Sequence, residues 1–359
     1  MFLKDTAPFS LPLAEKTAYL DAALSGLVEH HRRHCAAYAR IAYDWRSSKG
    51  AHETTVNACP FLPVSLFKQY DLKSTDEETT VLNSSATTSS VASRIYADKA
   101  TKKRQALSAN KILADFVGQE KRDYIVFDLE ETVRGGAGLG ARAAAILSLA
   151  HMAREFHFVM REVGGQLVVD HDALGRAMES IGDRPFIAYG FTYILYQAHR
   201  ELRQSGFDAG AAHPDSRFLH SGGWKKVLSL AVDKPTFNHE IASLWDLAPS
   251  AVIDFYGVIE QTGVPYPDCS AGFKHAPYWA DVIIRKNDSL EIAEAGQTGL
   301  IQLLNCLPLS APNHSVLTED LGRIELDDGC SCGRRGKAFT FQGRAPRSET
   351  RGCSDVARY

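Results

Sequence analysis

The chain has 359 residues, 45% hydrophobic and 23% charged, with a formal net charge of -3. That composition supplies a full core, and the near-neutral charge offers no basic surface to nucleic acid or an anionic membrane. No run reaches the about 18 apolar residues that span a bilayer, and Lys4, Asp5, Glu15 and Lys16 break up the beginning of the chain, so no signal-peptide core is visible and the chain reads as cytoplasmic.

Along the chain, Leu20, Ala23, Leu24 and Leu27 recur at helical spacing, and a helix pair is expected in the first fifty residues. Phe61-Leu-Pro-Val-Ser-Leu-Phe67 is a short apolar segment broken by Pro63, and a polar stretch leads on to Ser84. From there apolar runs alternate with helical segments. Tyr124 to Asp128, Phe156 to Met160, Leu167 to Asp170, Pro185 to Tyr189, Arg217 to Ser221 and Ala251 to Tyr256 read as strands. Helices are expected from Arg142 to Arg154, from Ile194 to Gln204, and starting at Gly222-Gly223. Such alternation predicts an α/β fold with a largely parallel sheet. Beyond about residue 280, short strands such as Asp281 to Arg285 and Gly299 to Leu304 give way to turns, which predicts a β-rich subdomain.

Three segments have a composition suited to a nucleotide. Ser84-Ser-Ala-Thr-Thr-Ser89 puts five hydroxyls in six positions, with Arg94, Lys99, Lys102 and Lys103 close behind, enough to ring a polyphosphate and offset its charge. Taken alone it is a solvated Ser/Thr loop. Asp254-Phe-Tyr-Gly-Val-Ile-Glu260 runs a strand into a Tyr-Gly turn, so that Tyr256 can stack on a base and Glu260 can hold Mg²⁺; equally, Glu260 can be a surface acid at a helix start. Leu317-Thr-Glu-Asp-Leu-Gly322 and Gly343-Arg-Ala345 place Asp320 and Arg344 on what read as tight turns, able to clamp a ribose. Gly135-Gly-Ala-Gly-Leu-Gly140 has the wrong spacing for a dinucleotide fingerprint, and no Walker lysine or Gly-x-Ser-x-Gly elbow appears.

The seven cysteines are Cys35, Cys59, Cys269, Cys306, Cys330, Cys332 and Cys353. Clustered thiols in such a chain point to a metal or to reactive sulfur before disulfides. Cys269 with His275, and Cys330 with Cys332, make a donor set for a closed tetrahedral Zn²⁺ that would tie two distant loops together. The same residues also read as buried thiols and a surface histidine.

In order and spacing, the hydroxyl-rich loop, the Gly-Gly turn, Tyr-Gly-x-x-Glu, Thr-x-Asp and Gly-Arg resemble the adenylate-forming superfamily of acyl-activating enzymes. Phe61 to Lys68, Ser84 to Gln105, Tyr256 to Gln261, Gly296 to Gln302 and Asp328 to Asp355 more narrowly resemble the acyl-protein synthetases of the bacterial luciferase fatty-acid reductase complex. The resemblance implies the large N-terminal domain of the adenylate-forming fold over residues 1–345, a short tail over 346–359, and no C-terminal lid domain with its catalytic lysine. It implies that Ser84, Ser85, Thr87, Thr88 and Ser89 face the ATP phosphates, and that Gly222, Gly223, Tyr256 and Gly257 line the adenine. Glu260 would serve Mg²⁺, Asp320 the ribose hydroxyls, and Arg344 the hinge side of the ribose. In that family a carboxylic acid, a fatty acid, is converted to acyl-AMP, and the resemblance implies that Cys353 near the C-terminus would capture the acyl group for a partner reductase or carrier protein. Arg347, Arg351 and Arg358 flank Cys353 and favour its thiolate.

The sequence departs from the superfamily at Ala86, Ser89 and Ile259, where glycine, glycine and threonine are usual. Without a lid lysine, Lys225, Lys226 or the terminal arginines would supply the cation. Transfer to coenzyme A or a carrier protein with Cys353 idle, and a non-catalytic partner role, stay open at this point.

Overall fold

The computed structural model describes residues 6–49, 54–83, 92–134, 141–224 and 227–346. Six strands form one sheet in the spatial order Tyr266–Pro267, Val252–Tyr256, Arg217–Ser221, Phe186–Phe191, Arg122–Val126 and Ala153–Phe158. Every pairing is parallel except that of the edge strand Tyr266–Pro267. Continuous apolar runs such as Phe186-Ile-Ala-Tyr189 suit strands covered on both faces. Helices His171–Ile181, Thr192–Gln204 and Lys234–Ser243 cover one face, around Phe186, Phe218 and Trp245. Helices Lys99–Val117 and Ala141–Ser148 cover the other, packing on Tyr124, Val126 and Tyr189.

The region after residue 280 is the second sheet. Ala280–Arg285, Gly299–Asn305, Ser315–Leu326 and Ala338–Arg344 are antiparallel neighbours, with Lys274–His275 on one edge. Leu62–Pro63 adds to it in parallel with Ser315–Leu326. The expected N-terminal helix pair is Leu13–His34 and Ala36–Lys49, and the first of these packs on this sheet through Leu20, Leu24 and Val28.

Helix Lys99–Val117 joins the two sheets. The Asp98 side chain accepts from the Thr101 amide at its start, and Gly118, at φ +92°, ends it. Ile112 packs in the core of the second sheet and Leu113 and Val117 in that of the first. Ser108 Oγ donates to the Gly263 carbonyl at 2.6 Å and accepts from the Trp279 indole at 2.8 Å. The turn after the Tyr256 strand is thereby fixed against the second sheet.

Some expected boundaries move. The helix expected from Arg142 to Arg154 stops at Ser148, because Ala153 already enters a strand. After Gly222-Gly223 the α-helix begins only at Lys234, where Asp233 caps it. Asp320 sits in mid-strand and Arg344 on the last residue of its strand, not on hairpin turns, and they are register partners. The tail expected over 346–359 lies, apart from Pro346, outside the described residues, among which no helix is long and apolar enough to cross a membrane.

Candidate functional site

The parallel strands end together on one edge, where an open α/β sheet binds its ligands. Tyr256 closes its strand there and is buried, 8% exposed. Its hydroxyl donates to Asp320 Oδ2 at 2.9 Å, and Arg344 Nε lies 3.6 Å from Asp320 Oδ1. Burial, and then the Asp320 charge, hold the Tyr256 pKa well above its usual value, so the phenol stays a donor at working pH. One face of the ring stacks on Phe341, 5.0 Å away at an interplanar angle of 21°. Phe341 thus takes one face of the ring, and the Tyr256 hydroxyl orients Asp320.

Glu260 lies on a short 3-10 turn, Ile259–Gln261, and is 6% exposed. Its pKa is raised, chiefly by burial and further by the Asp320 charge, against the hydrogen-bonded Ser93 hydroxyl and the Lys68 charge. The turn is clamped from below. Asn313 Nδ2 donates to the Glu260 carbonyl at 2.5 Å, and Gln261 Nε2 donates to the Asn313 carbonyl at 2.6 Å. A carboxylate held in so little water calls for a cation, which fits a Mg²⁺ role.

Gly222 directly follows the strand neighbouring that of Tyr256. Its φ is +81°, and a Cβ there would lie 2.7 Å from Phe191 Cδ1, so both backbone and packing require glycine. Gly223 and Gly257 have open space where a Cβ would project. Tyr256, Glu260, Asp320 and Arg344 thus share one locality with the Gly222 turn beside it. Ser84, Ser85, Thr87, Thr88 and Ser89 lie outside the described residues, as do Cys353, Lys225, Lys226 and the terminal arginines. Lys68 was not singled out from the sequence, although it closes the Phe61 to Lys68 segment. Phe341, two residues before Gly343, was missed as well.

Cys269, His275, Cys330 and Cys332 come together with their donor atoms all within 4.8 Å of one another. Cys269 Sγ lies 3.9 Å from Cys330 Sγ, and Cys332 Sγ lies 3.4 Å from His275 Nε2. A tetrahedron with Zn–S near 2.3 Å has sulfur edges of about 3.8 Å, whereas a disulfide would need about 2.05 Å. The donor set fits Zn²⁺. Left-handed glycines shape both loops: Gly272 at φ +80°, Gly329 at +80° and Gly333 at +82°. Burial, with the Arg334 and Lys16 charges, brings His275 down to about 4, so the imidazole is neutral and able to ligate. The loop is anchored to the strand that ends at Tyr256, because Lys274 Nζ bridges Asp254 Oδ2 at 2.9 Å and Asp268 Oδ1 at 3.1 Å.

Solved structures of like fold were found. A 2-hydroxyisobutyryl-CoA ligase in an open conformation, in complex with 2-HIB-AMP and CoA, superposes with a TM-score of 0.69 at 14% identity, covering 94% of this chain and 76% of that one. The same ligase in its thioesterification state gives 0.68, at 14% identity, covering 94% and 70%. ATP-bound MatB from Rhodopseudomonas palustris is a more distant likeness, with a TM-score of 0.45 at 12% identity, covering 74% and 47%. No curated protein sequence matches. The fold is that of the adenylate-forming enzymes. The profile described as acyl-protein synthetase, LuxE, matches residues 2–358, and the chain belongs to that family of adenylate-forming ligases.

Proposed function

We propose that the protein converts a carboxylic acid and ATP to acyl-AMP and pyrophosphate, and then passes the acyl group to a thiol. Family membership and the shared fold support acid activation. The observation that carries the reading for this chain is the Tyr256–Asp320–Arg344 cluster, with buried Glu260 beside it, at the carboxyl edge of the parallel sheet.

In this reading Asp320, fixed by Tyr256, accepts the ribose hydroxyls and Arg344 borders the ribose. Gly222, Gly223 and Gly257 let the backbone approach the adenine, and Ser84 to Ser89 hold the phosphates. Glu260 is the residue that would hold Mg²⁺, which when bound neutralises phosphate charge. Lys68, whose charge already reaches Glu260, adds a cation on the phosphate side. Zn²⁺ on Cys269, His275, Cys330 and Cys332 has four protein donors and no open position, so its role is structural. The enzyme works in the cytoplasm, where ATP is at hand.

Cys353 is the proposed thiol. Its thiolate attacks the acyl-AMP carbonyl carbon, the thioester bond forms, and AMP departs with the bonding electron pair. A partner reductase or carrier protein then receives the acyl group. A second reading, coenzyme A as the acceptor, is favoured by the likeness to a CoA ligase.

Incubation with ATP, Mg²⁺ and a radiolabelled fatty acid tests these together. The account expects a hydroxylamine-sensitive label on the protein that Cys353→Ala abolishes while acid-dependent pyrophosphate release persists. A label that survives Cys353→Ala excludes Cys353. Release without any label, stimulated by coenzyme A, supports the second reading.

A further inference from the structure

We propose that the acid taken by this site carries a second oxygen function away from its reacting carboxyl, a hydroxyl, oxo or carboxyl group, and that Arg142 reads it. This rests on the acid-activating reading above.

The residues that form the wall beside the nucleotide cluster follow from strand alternation. Val126, Tyr189, Leu219 and Ile253 lie on one face of the parallel sheet, in one core with Ile146 of helix Ala141–Ser148. Continuing that face to the strand ends brings up Asp128, Ser221 and Phe255. Ser221 immediately precedes Gly222, and Phe255 immediately precedes Tyr256, so this wall adjoins the place given to the nucleotide. An acid whose carboxyl must meet the α-phosphate extends along it.

The wall is polar. Tyr189, fully buried, bonds its hydroxyl to Ser221 Oγ at 3.2 Å, and its ring lies 6.2 Å from that of Phe255. Asp128 accepts from the Leu129 amide at 2.7 Å and the Thr132 hydroxyl at 2.7 Å. Arg142 Nε donates to Asp128 Oδ2 at 2.8 Å, and Arg142 Nη2 donates to Asp128 Oδ1. The Asp128 side chain is 2% exposed and that of Arg142 37% exposed, so the carboxylate is the fixed anchor and the guanidinium the accessible end. Both charges act on the Tyr189 hydroxyl, which brings the ion pair and the hydroxyl pair into one environment. A guanidinium has five N–H donors, and among the described residues the Asp128 contacts take two of them. An alkyl chain laid here gives the guanidinium nothing to bond, whereas an oxygen acceptor does.

Initial rates of acid-dependent pyrophosphate release, measured for pairs of aliphatic acids matched in length, test this. One member of each pair is unsubstituted, and the other bears a hydroxyl or carboxyl at the far end. A site built to bond a substrate oxygen rejects the analogue lacking it, so the wild-type kcat/KM ratio should favour the oxygenated acid by about tenfold or more. Arg142→Gln should bring that ratio close to one by raising KM for the oxygenated acid alone. If that variant does not fold because Asp128 loses its partner, Asp128→Asn combined with Arg142→Gln replaces it with the same expectation. A wild-type preference for the plain acid, or a ratio unchanged in the variant, overturns the proposal and leaves acid activation standing. Release with neither kind of acid removes the activation reading and this proposal together.

Discussion

Tyr256 and Asp320 belong to different sheets, and the 2.9 Å hydrogen bond between them crosses from the end of a parallel strand to the middle of an antiparallel one. Helix Lys99–Val117 packs against both sheets and holds that crossing in place. The acceptor of the proposed ribose contact is thus oriented from one sheet and carried by the other.

Tyr256→Phe removes the hydroxyl and keeps the ring packed on Phe341. The loss of one hydrogen bond to a charged acceptor is expected to lower stability by about 1.5–3 kcal/mol. With Asp320 free to turn, KM for ATP should rise about tenfold, with a smaller fall in kcat. Urea unfolding and steady-state kinetics check both. A variant with unaltered KM for ATP would separate Asp320 from the nucleotide.

Gly222→Ala places a Cβ at φ +81° and 2.7 Å from Phe191 Cδ1. Backbone strain of this kind costs about 1–3 kcal/mol, and the clash adds to it. Phe191→Leu in the same chain should relieve the clash and leave the strain, so rescue of the melting temperature is expected to be partial. Full rescue would show that the backbone at Gly222 is not what demands glycine.

Glu260 is expected to make stability depend on pH and, as the proposed Mg²⁺ holder, on Mg²⁺. Its folded pKa is raised above the unfolded value near 4.5, mainly by burial. Between those two values the folded chain holds the extra proton, so stability falls as pH rises through that window and stays reduced above it. Glu260→Gln is therefore expected to melt higher than wild type at neutral pH without Mg²⁺, and to lose the stabilisation that Mg²⁺ and ATP give the wild type. Thermal melts at pH 4 and pH 7.5, with and without Mg²⁺-ATP, read both effects. A Gln variant less stable than wild type at pH 7.5 contradicts the assignment.

How much of this was legible in the chain varied with the kind of signal. The central parallel strands were readable because they hold short apolar runs that are buried on both faces, as at Tyr124-Ile-Val-Phe127 and Phe186-Ile-Ala-Tyr189, whereas the edge strand Ala153–Phe158 is half exposed and starts three residues before the expected Phe156. Asp320 and Arg344 were picked out, but as turn residues, because Gly322 and Gly343 beside them look like turn formers. In the fold these glycines serve a bulged strand pair: a Cβ on Gly322 would lie 2.7 Å from the Thr340 carbonyl, and the register shifts between Leu321 and Gly322. Lys68 could not be placed from local pattern, because the pairing of Leu62–Pro63 with Ser315–Leu326 brings it near the site across more than half the chain. The four Cys and His donors were found as two loose pairs, and only the fold brings them within 4.8 Å.

The Cys/His cluster predicts one Zn²⁺ per chain by elemental analysis after gentle purification. Cys330→Ser should lose that metal and lower the melting temperature by several degrees, roughly the effect of 2–3 kcal/mol on a chain of this size. Activity should fall with it, because the loop is tied through Lys274 to the strand that ends at Tyr256. Metal-free protein with wild-type stability would remove the site.

Acid-dependent ATP–pyrophosphate exchange, compared between wild type and Asp320→Ala, tests the central claim most directly. The account predicts Mg²⁺-dependent exchange in the wild type and a fall of about 100-fold or more in the variant, with the variant still folded by circular dichroism. Exchange that is indifferent to Asp320, or absent from the wild type across fatty, aromatic and oxygenated acids, would contradict it.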